Sequence, residues 1–336
     1  MRSARASQNG STAQPPISAL ICTADRSDDI VVAVQSVLRS RGNFTELLVV
    51  DQSQNDESEQ ALKPLLSNPR LRYVRTSTRG KGVALAIGLE AARGDIVAVT
   101  DDDCEVGESW PNEIVAPLLR DPLVAVTYGQ VLPAEHDHAR GFIPTYVLDH
   151  DRECRTIWDK LRARGIGANT ALRKSVVQAI GGFDPELGPG GRFYSCIDGD
   201  MSVRLLLEGH RIYETKASSV VHHGFRTWAE GKSMAYRSFY GIAASYMKPL
   251  RRGRLEALPV FMFEFLWHAL LPFVGAALPF QRPLGFQRIR GFCAGAALGL
   301  FTPMDGEHLV YSHAPDPEKP RTSYTVPKGS APAEKK

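Results

Sequence analysis

Residues 94–103, Gly-Asp-Ile-Val-Ala-Val-Thr-Asp-Asp-Asp, are a short β-branched apolar run that leads directly into three carboxylates. A run of this length and composition predicts a buried strand. In an open parallel sheet, ligands bind beyond the carboxyl ends of the strands, so Asp101, Asp102 and Asp103 are expected at a functional edge. Adjacent carboxylates repel one another, and their oxygens are the ligands that Mg²⁺ and Mn²⁺ prefer. The stretch therefore predicts a divalent-cation site, with a simply solvated acidic loop as the alternative.

The directions in which the three aspartate side chains point are expected to follow from the extended chain that precedes them. Side chains alternate along a strand, so Asp101 and Asp103 are expected on one side and Asp102 on the other. This predicts that the first and third carboxylates act together.

Composition limits the class of protein. The chain has 336 residues, 43% hydrophobic and 23% charged, with a net charge of +3. These values predict a packed globular core, in one large α/β domain or a domain with an appendage, and give no indication of a nucleic-acid partner. The cysteines are scattered, odd in number and without C-x-x-C spacing, which predicts free thiols in a reducing compartment rather than disulfides or a zinc site. They are Cys22, Cys104, Cys154, Cys196 and Cys293.

Both ends of the sequence are expected to be loose tails. Residues 1–16 are rich in Ser, Ala and Gln and lack the apolar segment of a secretory signal. Residues 312–336 are rich in Pro and Lys, a composition typical of disorder.

Strands and helices alternate along the first hundred residues. Apolar runs predict strands at 17–22, 47–50 and 72–74, and helical periodicity predicts helices at 28–40, 57–66 and from 80 to about 92. This alternation favours a parallel, doubly wound arrangement. Polar residues follow the first two strands as well, which predicts a nucleotide site at the same edge. Neither a G-x-G-x-x-G nor a complete P-loop motif is present, and Gly80-Lys81-Gly82 is only a fragment of one.

The order of these segments and of several later motifs resembles family 2 glycosyltransferases, which have the GT-A fold. The resemblance covers about residues 17–225, roughly two-thirds of the chain. It implies a Rossmann-like, mostly parallel sheet flanked by helices at 17–225. The composition of the following residues predicts a helical, hydrophobic extension at 226–311. The motifs are Thr-Ala-Asp-Arg at 23–26, Val-Asp at 50–51, Ala-Arg-Gly-Asp at 92–95, the aspartates at 101–103, a G-x-N-x-A-x-R segment at 167–173, Gly-Gly-Phe-Asp at 181–184, Ile-Asp-Gly-Asp-Met at 197–201 where the family has E-D-x-D-L, Gly-His-Arg-Ile at 209–212 and Val-His-His at 221–223.

The resemblance implies a nucleotide-sugar donor. Thr23, Arg26, Asp51 and Asp101 are then expected to contact its nucleotide. For Asp51, a role in a turn or helix cap is the alternative.

The resemblance also implies a divalent cation, Mn²⁺ or Mg²⁺, bound directly by Asp103. Neutral imidazole is a frequent ligand of such ions, and His222 is favoured over His223 by its position in the motif. A hydrogen-bonded strand-end histidine is the alternative. The metal would neutralise the departing diphosphate.

Asp198 is the candidate general base, because direct transfer requires a carboxylate that takes the proton of the acceptor. The alternative is a carboxylate that stabilises the N-terminus of a helix at 201–208, and Asp200 fits this supporting role better. Ile197 replaces the glutamate of the family, which removes one carboxylate. Further acceptor-side or supporting positions, each with a structural role as the alternative, are Asn169, Gly182, Phe183 and Asp184.

The composition changes beyond Phe225. Arg251-Arg252-Gly253-Arg254 precedes an apolar run at 257–280, which has the length of a membrane span but contains Glu264, His268 and three prolines. The pattern predicts helices that lie in the interface of an anionic membrane leaflet. A helical cap packed on the core is the close alternative, and a true span comes third.

The sequence thus predicts an inverting, metal-dependent glycosyltransferase at the cytoplasmic face of the cell membrane. Its donor would be a nucleotide-diphosphate sugar and its acceptor a saccharide or lipid-linked glycan, in cell-envelope or polysaccharide synthesis. Residues 226–228 retain only Arg-x-Trp of the Q-x-x-R-W motif of processive synthases, which favours transfer of a single sugar. The alternatives are a sugar-phosphate nucleotidyltransferase, whose Gly/Arg-rich loop is missing after the first strand, and a catalytically silent nucleotide-sugar-binding module.

Overall fold

The computed structural model describes residues 15–276 and 285–312. Its strands are β1 (Ile17–Thr23), β2 (Phe44–Asp51), β3 (Leu71–Arg75), β4 (Ile96–Asp101), β5 (Cys104–Val106), β6 (Val124–Pro133), β7 (Gly141–Phe142), β8 (Arg152–Cys154), β9 (Asn169–Arg173), β10 (Arg211–His222), β11 (Arg226–Thr227), β12 (Met304–Asp305) and β13 (Val310–Tyr311). Nine of these form one mixed sheet in the order β3-β2-β1-β4-β9-β6-β10-β5, with β8 paired to β10. Two ribbons, β7 with β11 and β12 with β13, complete the strands of the described part.

The helices pack on both faces of this sheet. The α-helices are α1 (Ser27–Arg39), α2 (Glu57–Leu62), α3 (Lys81–Ala91), α4 (Trp110–Arg120), α5 (Lys174–Ala179), α6 (Ile197–Leu207), α7 (Trp228–Arg251), α8 (Leu258–Phe263), α9 (Leu271–Ala276) and α10 (Gly285–Phe301), and a π-helical segment (Glu264–Leu270) joins α8 to α9. Because β1, β2 and β4 are buried on both faces, they are continuous apolar runs rather than alternating ones. Two hydrophobic clusters, one on each face, form the core.

Strands β3, β2, β1 and β4 are parallel, as the alternation of segments predicted. Their register brings the polar strand ends to one edge, with Thr23 beside Asp51 and Cys22 beside Asp101. Strand β9 then enters antiparallel between β4 and β6. The predicted Rossmann-like sheet with flanking helices and a C-terminal helical part is confirmed.

Two predicted helix boundaries are wrong. Helix α2 ends at Leu62 and continues as a 3₁₀ turn at Lys63–Leu65, because Pro64 has no amide hydrogen to extend the α-helical bonding. Helix α6 begins at Ile197 rather than near residue 201, so Asp198 and Asp200 both lie in its first turn.

The C-terminal helices pack against each other and against the sheet with its flanking helices, which together are called the sheet unit. Helix α10 runs close along α7, because Gly291 and Gly295 present no side chain: a Cβ there would lie 2.2 and 2.0 Å from the carbonyl oxygens of Tyr236 and Tyr240. The apolar residues of α10 therefore contact protein along this face, in agreement with the packed-cap alternative.

The helical segment from α8 to α9 has one polar anchor, which points inwards. Glu264 is buried and accepts two hydrogen bonds from Arg164, at 3.0 and 3.1 Å. The opposite face is apolar and exposed, at Leu258, Met262, Leu266, Trp267, Leu271 and Val274. No helix in the described ranges combines the length and apolarity that a membrane crossing needs.

The arginines of the predicted basic cluster, 251–254, mostly contact other parts of the protein. Arg251 donates to the carbonyl oxygens of Gly299 and Thr302, and Arg254 pairs with Glu208 and Glu256. Arg251 and Arg254 thus have partners within the protein, and the docking of this basic flank on an anionic leaflet stays a prediction. The end of the apolar run, 277–280, lies outside the described residues. The predicted tails do too, apart from residues 15–16 and 312.

Candidate active site

A pocket of about 630 Å³ opens at the edge of the sheet where the strands β1 and β4 end. One wall is formed by Arg26 after β1 and by Lys81 at the start of α3. The loop that leads into α6 and the N-terminal half of α7 form the rest of the lining. The lining residues are Arg26, Lys81, Pro144, Gly188, Pro189, Gly190, Tyr194, Ser195, Cys196, Ile197, Asp198, Arg226, Glu230, Ser233, Met234, Arg237 and Ser238.

The three aspartates that follow β4 have different partners. Asp101 accepts a hydrogen bond of 2.5 Å from the Lys81 ammonium group. Asp102 accepts one of 2.8 Å from the Thr23 hydroxyl and lies 3.4 Å from Arg26. The prediction that Asp102 points away from the site is wrong, because the chain turns at residues 102–103 and strand alternation ends there. Burial raises the pKa of Asp102 to about 6, against the opposing charge of Arg26.

Asp103 lies between two cationic groups. One carboxylate oxygen contacts the guanidinium group of Arg26, and the other lies 3.3 Å from Nε2 of His222. Burial alone would raise the pKa of Asp103, but His222 and Arg26 hold it well below its ordinary range. His223 is exposed and faces Glu105 at 3.7 Å, so the structure brings His222 and not His223 to Asp103.

The ring orientation of His222 suits a metal ligand. Its Nδ1 donates to the carbonyl oxygen of Pro144 at 2.9 Å, so Nε2, which faces Asp103, is the ring nitrogen that would bind a metal once it has lost its proton. Space beside the pair is kept by Gly224, where a Cβ would lie 2.5 Å from His222 Nε2 and 2.7 Å from Asp103 Oδ2. A buried carboxylate, an imidazole and an adjacent gap fit a divalent cation.

Asp198 faces the pocket from the first turn of α6. Its carboxylate packs on Gly167, where a Cβ would lie 2.2 Å from Oδ1 of Asp198. Burial raises the pKa of Asp198, and the nearby Lys81 charge opposes that rise. Residues two apart on a helix point about 200° apart, so Asp200 faces the interior instead. There it binds Arg204 at 2.9 Å and Lys248 at 2.6 Å, which is the supporting role predicted for it.

Several other predicted ligand contacts lie beneath the site rather than in it. Asp51 has no exposed surface and accepts hydrogen bonds from Tyr73 and from the Ser53 amide. These bonds agree with the alternative given for it, a structural role in a turn. Asn169 is also fully buried, bonded to Trp110 and the Gln130 carbonyl, so it has the structural role named as its alternative and the expectation of a ligand contact is wrong.

The Gly-Gly-Phe-Asp turn is likewise a structural element. Phe183 belongs to the hydrophobic core, and Asp184 forms a buried ion pair of 2.6 Å with Lys248. Gly182, at φ +71°, offers its carbonyl oxygen to Arg204. In the structure none of these three lines the pocket, so their predicted contact with the acceptor is replaced by support of α6.

Pocket residues that the sequence did not predict as part of the site include Lys81, Tyr194, Arg226 and Arg237. Lys81 was visible only as part of an incomplete P-loop fragment. Tyr194 has a φ of +61°, and its ring carries the Arg237 guanidinium 5.7 Å from its centroid. Left-handed backbone at a non-glycine residue is found preferentially at functional sites, but no local sequence pattern indicates it here.

Comparison with known proteins identifies similar glycosyltransferases. The model of the family described as "Glycosyl transferase family 2" matches residues 18–181. A glucosyl-dolichyl phosphate glucuronosyltransferase of Haloferax volcanii is 23% identical over 67% of this chain and 74% of its own length. The succinoglycan biosynthesis protein ExoO of Rhizobium meliloti is 34% identical over 26% of each chain.

Solved structures show the same architecture. The mannosyltransferase PcManGT of Pyrobaculum calidifontis, in complex with GDP-Man and Mn²⁺, has a TM-score of 0.57 and 17% identity, over 86% of this chain and 88% of that one. The 1-349 form of S. aureus TarS has the same TM-score and 15% identity, over 85% of this chain and 81% of its own. At this level of identity the comparison shows the fold, which is that of the GT-A glycosyltransferases.

Proposed function

This chain belongs to glycosyl transferase family 2, and from that premise we propose that it transfers a single sugar from a nucleotide-diphosphate donor, with inversion, to a glycan or lipid-linked acceptor. The observation that carries the proposal is that Arg26 connects two sets of functional groups: it lines the pocket together with Asp198, and it contacts Asp103, which faces His222. Asp103 and His222 lie at the side of the β-strand ends, and Asp198 faces the pocket from α6.

The donor side is built for a diphosphate. A divalent cation held by Asp103 and His222 would neutralise the charge that develops on the leaving diphosphate. Mn²⁺ and Mg²⁺ are the candidates, and the PcManGT complex contains Mn²⁺ with its nucleotide sugar. Arg26 and Lys81 add two cationic groups beside the same strand ends. Thr23 and Asp101 are proposed to orient the nucleotide here.

Asp198 is proposed to act as the general base. The acceptor hydroxyl gives its proton to the Asp198 carboxylate while its oxygen attacks the anomeric carbon. The bond from that carbon to the diphosphate oxygen breaks in the same displacement, which inverts the configuration. The raised pKa of Asp198 makes its carboxylate a stronger base than an exposed aspartate, and the nearby Lys81 charge opposes that rise.

The wall formed by α7 is proposed to receive the acceptor. Tyr194 is 44% exposed and precedes the base by four residues, so its ring offers an apolar surface for a sugar. Arg237 and the hydroxyl groups of Ser233 and Ser238 supply donors for its oxygen atoms.

The C-terminal unit, 226–311, is proposed to hold the enzyme against the cytoplasmic face of a membrane. The exposed face of the α8–α9 segment carries the six large apolar side chains named above, while its only acid, Glu264, is turned inwards. Such a one-sided helix is typical of interfacial binding. It would place the pocket near a lipid-linked or envelope glycan.

The proposal is tested by incubating the protein with a panel of nucleotide sugars and Mn²⁺ and measuring the products. A glycosyltransferase releases nucleoside diphosphate in step with acceptor glycosylation, and the anomeric configuration of the product tests inversion. Release of pyrophosphate would instead indicate a nucleotidyltransferase, and nucleotide binding without release would indicate a silent module.

Two variants test the assigned residues. Asp198→Asn should keep donor affinity while turnover falls about 10²-fold or more, because the shape is kept and the base is lost. Asp103→Ala should lose the Mn²⁺-dependent part of nucleotide binding with little loss of fold. Full wild-type turnover in excess chelator would contradict the role of the metal.

A further inference from the structure

A third donor atom lies beside the two proposed metal ligands. The Cys104 sulfur is 3.9 Å from Oδ1 of Asp103, and the His222 Nε2 is 3.3 Å from the same oxygen. The three donor atoms all lie within 4.8 Å of one another. Cys104 is a free, buried cysteine.

Backbone pairing holds this cluster together. In the antiparallel pair of β5 and β10, Cys104 stands directly opposite His222, so the two side chains share one face of the sheet. Asp103 immediately precedes β5. The triangle of ligands is thus fixed by strand register rather than by flexible side chains.

Two edges of this triangle of donor atoms, O–N and O–S, are close to those of a tetrahedral metal site. With metal–donor lengths of about 2.1 Å to oxygen, 2.05 Å to nitrogen and 2.3 Å to sulfur, a tetrahedral site separates O from N by about 3.4 Å and S from O by about 3.6 Å. Right-angled octahedral positions would need about 2.9 and 3.1 Å at the same bond lengths. The observed 3.3 and 3.9 Å are close to the tetrahedral edges.

The cluster is also reachable by an ion. A cavity of about 140 Å³ is lined by Asp103 and Cys104, with Asp29 and His223 at its wall. Gly224 leaves further space on the other side of Asp103 and His222. The Cys104 sulfur is therefore not sealed behind the two other ligands.

We propose that Cys104 is a third metal ligand and that Asp103, Cys104 and His222 form a centre that binds Zn²⁺ or Co²⁺ more tightly than Mn²⁺ or Mg²⁺. The inference rests on the proposed function of this site in metal binding and adds the sulfur and the metal preference. On binding, the thiol releases its proton to solvent and the sulfur donates an electron pair to the metal. Thiolate and imidazole favour Zn²⁺ and Co²⁺, whereas Mg²⁺ and Mn²⁺ prefer oxygen. Because the ligands come from separate strands, cysteine spacing in the sequence did not indicate this site.

Cobalt spectroscopy tests the inference on the full chain after removal of bound metals with chelator. Visible d–d bands report Co²⁺ bound by any ligands, and a near-ultraviolet charge-transfer band reports a thiolate–cobalt bond. We expect both in the wild-type protein. Cys104→Ser should lose the charge-transfer band and bind Co²⁺ roughly 10-fold or more weakly, with Mn²⁺ affinity measured by electron paramagnetic resonance unchanged. Cys154→Ser, at another buried free cysteine, is the matched control and should behave as wild type.

The outcomes separate the two proposals. Visible bands without a charge-transfer band in the wild-type protein would overturn the role of Cys104 and leave the metal site of the proposed function intact. Absence of Co²⁺ and of Mn²⁺ binding would overturn both. Equal or tighter binding of Mn²⁺ than of Co²⁺ would overturn the metal preference.

Discussion

The Lys248 ammonium group lies 2.6 Å from a carboxylate oxygen of Asp200, and both side chains are buried. The same nitrogen lies 2.6 Å from Asp184, and Arg204 binds the second oxygen of Asp200 at 2.9 Å. Two positive and two negative charges thus form a neutral cluster in the core. Because Asp200 lies in the first turn of α6, the cluster fixes the helix end from which Asp198 faces the pocket.

Lys248→Met should lower the free energy of unfolding by about 3–5 kcal/mol, because it leaves two buried carboxylates with less compensation. Denaturant unfolding measures the change. Lys232→Met, at an exposed lysine of the same helix α7, should change it by less than about 0.5 kcal/mol. A loss below about 1 kcal/mol for Lys248→Met would show that the cluster does not stabilise the fold.

Gly167→Ala should reduce kcat about 10²-fold without weakening donor binding. Its new Cβ would lie 2.2 Å from Oδ1 of Asp198, so the base must move, and a displacement of about 1 Å is enough for such a loss. Steady-state kinetics and nucleotide titration separate the two effects. Gly107→Ala, where a Cβ meets nothing within 4 Å, is the control. Unchanged kcat in Gly167→Ala would argue against Asp198 as the base.

The acid limb of the pH–rate profile should report Asp198. Burial raises its pKa, so kcat/KM should fall with decreasing pH at values above the ordinary 3.8 of an aspartate, as the base becomes protonated. Lys81→Met removes a charge that favours the carboxylate and should move this limb to higher pH. Lys81→Arg keeps the charge and should leave the limb in place. An acid limb that stays at the same pH, or moves to lower pH, in Lys81→Met would contradict the assignment of this limb to Asp198.

Gly224→Ala should raise the Mn²⁺ concentration that gives half-maximal activity, by roughly 10-fold or more. The added methyl group would lie within 2.7 Å of both Asp103 and His222, so it displaces at least one ligand. Activity at increasing Mn²⁺ and direct Mn²⁺ titration measure the effect, with Gly107→Ala again as the control. An unaltered metal dependence would place the metal elsewhere.

Replacing Trp267 and Leu271 together by Ser should release the protein from anionic vesicles. The two side chains are 58% and 49% exposed, and loss of even about 1.5 kcal/mol each corresponds to roughly a 100-fold drop in affinity. Vesicle sedimentation of wild type and variant measures binding. Trp158→Ser, at an exposed tryptophan of the sheet unit, serves as control. A wild-type protein that binds no vesicle would show that this face does not dock on lipid.

The sequence alone determined the elements and their order. The run from Ile96 to Asp101 is apolar on both faces, a pattern typical of a buried parallel strand, so its burial in the sheet followed from composition. Parallel strands end at one edge, so the meeting of Thr23, Asp51 and Asp101 there also followed. The order of motifs then indicated the family, which its matching model bears out.

Only the tertiary structure decided which polar side chains face the pocket. The sequence assigned Asp198 and Asp200 different roles without their surroundings, and the packing of α6 turns one to the pocket and the other to Lys248. Asn169 and Glu264 look available in the sequence, yet Trp110 and Arg164, 59 and 100 residues away, hold them inside. Side-chain partners at such separations are set by how helices pack on the sheet and by strand register, and a local pattern contains no information about either.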